Sequence, residues 1–110
     1  MSNIVLLYST APDMASAEKI SSALVESGAA ACVNVIPGMK SFYKWKGATE
    51  QANEIVLIVK TSRAAAPQAR RLIQSLHPYE TPALLALPVD IDLSSAKFLS
   101  WIRDQASSMG

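Results

Sequence analysis

Continuous apolar runs alternate with helix-spaced apolar stripes along this chain. Ile4-Val5-Leu6-Leu7-Tyr8 reads as a buried first strand, ended by Ala11-Pro12-Asp13. Asp13 is placed to cap a helix over about 14–27, because its carboxylate can accept a free amide of the first turn. Ala17, Ile20, Ala23 and Leu24 fall on one face of that helix, and Gly28 suits the left-handed position that follows a helix end. Ala29 to Ile36 predicts a second strand. Pro37-Gly38 interrupts it as a bulge would, and Ser41 to Lys46 resumes the extended pattern up to a turn at Gly47. Ile55-Val56-Leu57-Ile58-Val59 is a third, fully apolar strand. A second helix follows Thr61-Ser62, with Pro67 in its first turn and Ala69, Leu72, Ile73 and Leu76 as its stripe. The corner His77-Pro78-Tyr79-Glu80-Thr81-Pro82 leads into a fourth strand over about 83–89. Ser94 or Asp92 would cap a last helix with Phe98, Trp101 and Ile102 on one side.

The order β-α-β-β-α-β plus a terminal helix predicts an α+β fold of the ferredoxin-like, split β-α-β kind, as one domain over residues 1–110. Right-handed crossovers put both main helices on one face of an antiparallel sheet. The other face should then alternate in polar residues, yet 4–7, 55–59 and 84–87 are apolar at both parities. Covering about five surplus aliphatic side chains would be worth on the order of 8–15 kcal/mol. Self-association through the sheet is therefore expected. From Ala29 to Lys46 the extended stretch far exceeds an ordinary strand. The hairpin should project beyond its own domain and dock Phe42, Tyr43 and Trp45 on a neighbouring copy.

Composition narrows the classes. Half of the 110 residues are hydrophobic and only 17% are charged, in keeping with surface buried against another chain. Ten Lys plus Arg against nine Asp plus Glu give a net charge of +1. With no basic run and no Lys/Arg-Gly-Phe/Tyr motif, a nucleic-acid partner is not expected. No apolar stretch approaches a membrane span, the first ten residues lack a secretory pattern, and Cys32 is the only cysteine. These features set the expectation of a cytoplasmic protein in a reducing compartment, with no membrane contact.

The stiff corner holds the only histidine. Each proline fixes its own φ and turns the preceding residue out of helical geometry. His77 can cap carbonyls or offer an imidazole to Cu(II) or Zn(II), and Glu80 can accept a hydrogen bond or join it as a ligand. Cys32 reads either as a small buried hydrophobe or as a thiolate for Cu(I). One His and one Cys cannot close a four-ligand site in one chain, so a metal site would lie between copies. Lys60 can line a cleft and attract an anion. Neither a Ser-His-acid order nor a glycine-rich phosphate loop appears, and no enzymatic activity is expected.

Several ordered pieces resemble the CutA family of divalent-cation tolerance proteins: Ala31-Cys32-Val33-Asn34 with Ile36-Pro37-Gly38, the run from Ser41 to Gly47, Lys60-Thr61, His77-Pro78-Tyr79-Glu80 before Pro82, and Leu99-Ser100-Trp101-Ile102. The resemblance covers nearly the whole chain. It implies a ferredoxin-like subunit in a PII-like homotrimer, tied to tolerance of copper and other divalent metals, with no metal required for folding. Cys32, His77 and Glu80 would be metal ligands, Lys60 and Tyr79 would line the cleft between subunits, and Phe42, Tyr43, Trp45 and Trp101 would lie in the trimer interface. The sequence departs from the family pattern before the last helix, where a Gly is replaced by Val89-Asp90-Ile91-Asp92-Leu93, and at Phe98, which holds a Tyr position. The hydroxyl that such a Tyr would turn to the cleft is thus missing. Two other readings stand beside metal tolerance: a PII-like regulator that binds a small anionic metabolite and a protein partner, and a trimer that only scaffolds another protein.

Overall fold

The computed structural model describes residues 4–107; the one-domain assignment over 1–110 runs past this span at both ends. The elements are β1 (Ile4–Ala11), α1 (Met14–Glu26), β2 (Cys32–Trp45), β3 (Ala48–Ser62), α2 (Ala66–Leu76), β4 (Leu84–Pro88) and α3 (Ala96–Gln105). They build one four-stranded antiparallel sheet in the order β2-β3-β1-β4. The expected α+β element order is thereby found, with shifted boundaries. β1 runs three residues past Tyr8 to Ala11, because its polar end pairs with the apolar run of β3. β4 is shorter than the predicted 83–89 and keeps only Leu84–Pro88.

Register assigns the two faces. Leu7 stands opposite Val59 and Ala86, while Leu6 stands opposite Lys60 and Leu87. The parity of Val5, Leu7, Leu57 and Val59 packs on Ile20 and Leu24 of α1 and Ile73 of α2, which forms the main core. Asp13 caps α1 by accepting the Ser16 amide at 2.7 Å, and Gly28 follows the helix at φ 80°. The opposite parity carries Leu6, Tyr8 and Ile58, all half-buried, and Ile36, Leu85 and Leu87, which are exposed. Among the described residues this second face is covered at one end, where Leu99 and Ile102 of α3 and the capping Ala106 close over Ile4 and Ala31.

The last helix corrects two expectations. Its cap is Ser95, whose hydroxyl accepts the Phe98 amide at 3.3 Å; neither Ser94 nor Asp92 holds that place. Its buried stripe is Leu99 and Ile102, whereas Phe98 and Trp101 stack on each other at 5.7 Å on the exposed side.

The long hairpin is one continuous ribbon. Ile36 faces Val56 and Met39 faces Glu54, so a single extra residue at Pro37-Gly38 makes a bulge and does not end the strand. Trp45 pairs with Ala48 across Lys46 (φ 51°) and Gly47 (φ 81°), the left-handed pair of a two-residue hairpin turn. The 14 residues of β2 at about 3.3 Å each match the longest dimension of the molecule, 45 Å. A radius of gyration of 14.5 Å exceeds the roughly 13 Å of a compact chain this long because the ribbon projects.

Candidate functional site

The corner residues are held by β1. His77 ends α2 in an extended conformation and is buried at 7% exposure. Its Nε2 lies 2.7 Å from the Thr10 carbonyl oxygen, and its Nδ1 lies 3.0 Å from the Tyr79 backbone nitrogen. A carbonyl can only accept and an amide can only donate. The imidazole is therefore the neutral tautomer protonated at Nε2, donating to Thr10 and accepting from Tyr79. Both ring nitrogens are in use. The Tyr79 ring leans on the imidazole at 5.1 Å and is otherwise half open to solvent. Glu80 is exposed, with a carboxylate that makes no bond to the described residues.

Thr10 extends this group. Its hydroxyl donates to a Glu54 carboxylate oxygen at 3.1 Å, so β1, β3 and the corner meet at one end of the sheet. Neither Thr10 nor Glu54 stands out in the sequence. The only signal was that both have the parity of the face away from the main helices, and that parity is fixed by a register no single strand reveals.

Cys32 and Lys60 lie at the other end. They are direct partners across β2 and β3, and Lys60 also stands opposite Leu6. Both are half-buried. The Lys60 ammonium sits 5.4 Å from the centre of the Phe98 ring, which in turn stacks on Trp101. An aromatic face attracts a cation without pairing off its N–H donors, so this ammonium stays open to an anion brought to the surface.

The two groups are separated within one chain. Leu6 beside Lys60 and Thr10 beside His77 are four residues apart on β1, about 13 Å along the strand. Cys32 lies two strands to one side of β1. Among the described residues no three His, Cys, Asp or Glu side chains come together as metal ligands. Among the described residues a single chain therefore offers no metal site: the thiol has no second soft donor beside it, and both imidazole nitrogens are hydrogen-bonded. Phe42, Tyr43 and Trp45 on the hairpin are 67%, 47% and 63% exposed, and Trp101 is 41% exposed, so four large aromatic groups meet solvent in the lone chain.

The family model for the CutA1 divalent ion tolerance protein matches residues 5–105. A divalent-cation tolerance protein CutA of Thermus thermophilus is 39% identical over 104 residues, spanning 94% of this chain and 97% of the relative. The crystal structure of CutA from Xylella fastidiosa superposes with a TM-score of 0.89 at 38% identity, covering 96% of this chain and all of the other. The protein of Archaeoglobus fulgidus, described as a periplasmic divalent cation tolerance protein CutA, gives a TM-score of 0.87 at 36% identity, with 94% and 99% of the two chains covered.

Proposed function

The chain belongs to the CutA1 divalent ion tolerance family, and from that premise we propose that it acts as a homotrimer in copper and divalent-cation tolerance. In this reading it is not an enzyme: it binds a metal or signals its presence, at a site in the cleft between copies. The observation that carries the reading is the apolar sheet face with Ile36, Leu85 and Leu87 exposed, which the described residues cover at only one end. A large uncovered apolar patch is rare on a stable monomer. A second copy on that face would bury it, and it would also allow donors too far apart in one chain to meet. Cys32 brings a free thiol and Glu80 a carboxyl group that no bond within the described residues occupies. His77 serves best as the tie that holds Tyr79 and Glu80 in place, and it would ligate only by giving up Thr10 or Tyr79. The cytoplasm is the proposed compartment, in keeping with a single cysteine kept reduced.

Sedimentation and calorimetry test this together. Wild type should sediment near three times the 11.8 kDa chain mass. Cu(I) and Cu(II) titrations should weaken on Cys32→Ala and Glu80→Gln. A particle of one chain mass at working concentration, or identical isotherms for all variants, overturns the reading.

Lys60 favours a second reading, a PII-like regulator that takes a small anionic metabolite. Its ammonium rests on an aromatic ring and pairs with no carboxylate of the described residues. A thermal-shift series of nucleotides and organic acids separates the two readings. A shift with an anion that Lys60→Met removes, and none with copper, would favour the regulator.

A further inference from the structure

The face opposite the proposed assembly surface carries a groove that metal tolerance does not use. Two helices cover a four-stranded sheet on this side, and the edge strand β4 is left largely bare. The gap between β4 and α2 is a groove of about 630 Å³, within the range of small-molecule sites. Leu7, Leu84 and Ala86 form its floor. Arg70 and Gln74 lie one helical turn apart on α2 and border it, and Arg63 borders it just before the helix.

The charge around this groove is of one sign. Its lining includes two arginines and no Asp or Glu. Neither guanidinium forms an ion pair with the described residues, and both side chains are exposed. An apolar floor under unpaired guanidiniums complements one kind of molecule: a hydrocarbon body with an anionic head. Arginine meets a carboxylate through two parallel N–H donors, which a neutral head group cannot match. We propose that the groove between α2 and β4 binds a small amphiphilic carboxylate, its hydrocarbon body on Leu7, Leu84 and Ala86 and its head group held by Arg63 and Arg70.

Octanoate is the probe, followed by calorimetry and by methyl shifts of Val5, Leu7 and Leu84 on the full chain. Octanol and inorganic phosphate are the matched controls for body without charge and charge without body. Octanoate should shift those methyl groups saturably, and both controls should bind at least tenfold more weakly. Arg70→Gln should weaken octanoate about fivefold, the order expected for one solvent-exposed charge contact. Arg70 is the cleaner choice, because Arg63 also borders a second groove with Arg103 and Asp104. Ala86→Phe fills the floor at an exposed edge position and should abolish binding without loss of fold. Equal affinity for octanol and octanoate, or no change on Arg70→Gln and Ala86→Phe, overturns the proposal. Sedimentation of the same samples keeps the two ideas apart, since the assembly face is on the far side of the sheet.

Discussion

Replacing His77 distinguishes a structural tie from a metal ligand. The imidazole is buried and makes two hydrogen bonds, to the Thr10 carbonyl at 2.7 Å and from the Tyr79 amide at 3.0 Å. His77→Ala removes both and strands their partners, at about 1 kcal/mol per lost bond and a further 1–3 kcal/mol where a partner stays buried and unpaired. With Thr10 buried and Tyr79 exposed, a total of roughly 3–5 kcal/mol is expected, a large share of the stability of a domain this size. With a urea dependence of about 1–3 kcal/mol/M the unfolding midpoint should fall by about 1 M or more, read at fixed protein concentration. Two milder variants divide the effect. His77→Asn places an oxygen near the Nδ1 position and should keep the Tyr79 contact, while His77→Gln places an amide near Nε2 and should keep the Thr10 contact. Each should lose about half as much as alanine. Nitrogen NMR of the wild-type ring should show the tautomer protonated at Nε2. The reasoning is refuted if His77→Ala unfolds at the wild-type midpoint yet binds copper tenfold more weakly, because the imidazole would then be a ligand and not a tie.

Leu85→Glu, on the exposed sheet face, should shift the sedimenting species toward the single-chain mass of 11.8 kDa, and an unchanged mass would place self-association elsewhere. Gly47 has φ 81° with open space around its Cα, so Gly47→Val should destabilise the hairpin by about 1–2 kcal/mol through backbone strain alone, measurable by denaturant unfolding. The Ser16 amide first, and its hydroxyl second, hold the Asp13 carboxyl below its ordinary range. A depressed folded value adds stability above the unfolded value of about 3.9, and that stability is lost as pH falls through the folded one. The stability gap between wild type and Asp13→Asn should therefore narrow as pH drops below about 4, in urea titrations across pH 2–6.

Most of the elements were legible in the sequence because each rested on local signals. Asp13, Gly28 and Pro67 marked helix ends through the few amides and φ values that helix termini demand. The bulge at Pro37-Gly38 was equally local. The last helix departs from its expected buried side for a physical reason. Phe98 with Trp101 and Leu99 with Ile102 are two stripes of the same spacing, one residue apart, so periodicity cannot say which is buried. Packing decides it: Ile4 and Ala31 offer a space that Leu99 and Ile102 fill, and the larger aromatic pair is left to stack outside. The arrangement of the candidate site is hidden from the sequence for a similar reason. Residue types picked out Cys32, Lys60, His77 and Glu80, but their distances depend on strand order and register, which are set by pairings between distant segments.

That separation bears on how the chain can act at all. Cys32 and Lys60 sit beside α3, and the His77 corner sits by Thr10 near the far end of β1. Both groups border the same sheet, whose face beyond α3 is apolar and uncovered between them. A ligand that needed both groups in one chain would have to bridge about 13 Å along the strands across greasy surface. In the proposed trimer that difficulty falls away, because donors far apart in one chain can meet those of a neighbouring copy. The exposed apolar face and the divided polar groups thus call for the same remedy. A variant that blocks assembly at Leu85 should accordingly abolish any ligand affinity that depends on Cys32 or Glu80, though it alters neither residue. Copper affinity retained by a monomeric Leu85→Glu chain would break this link and place the site within one subunit.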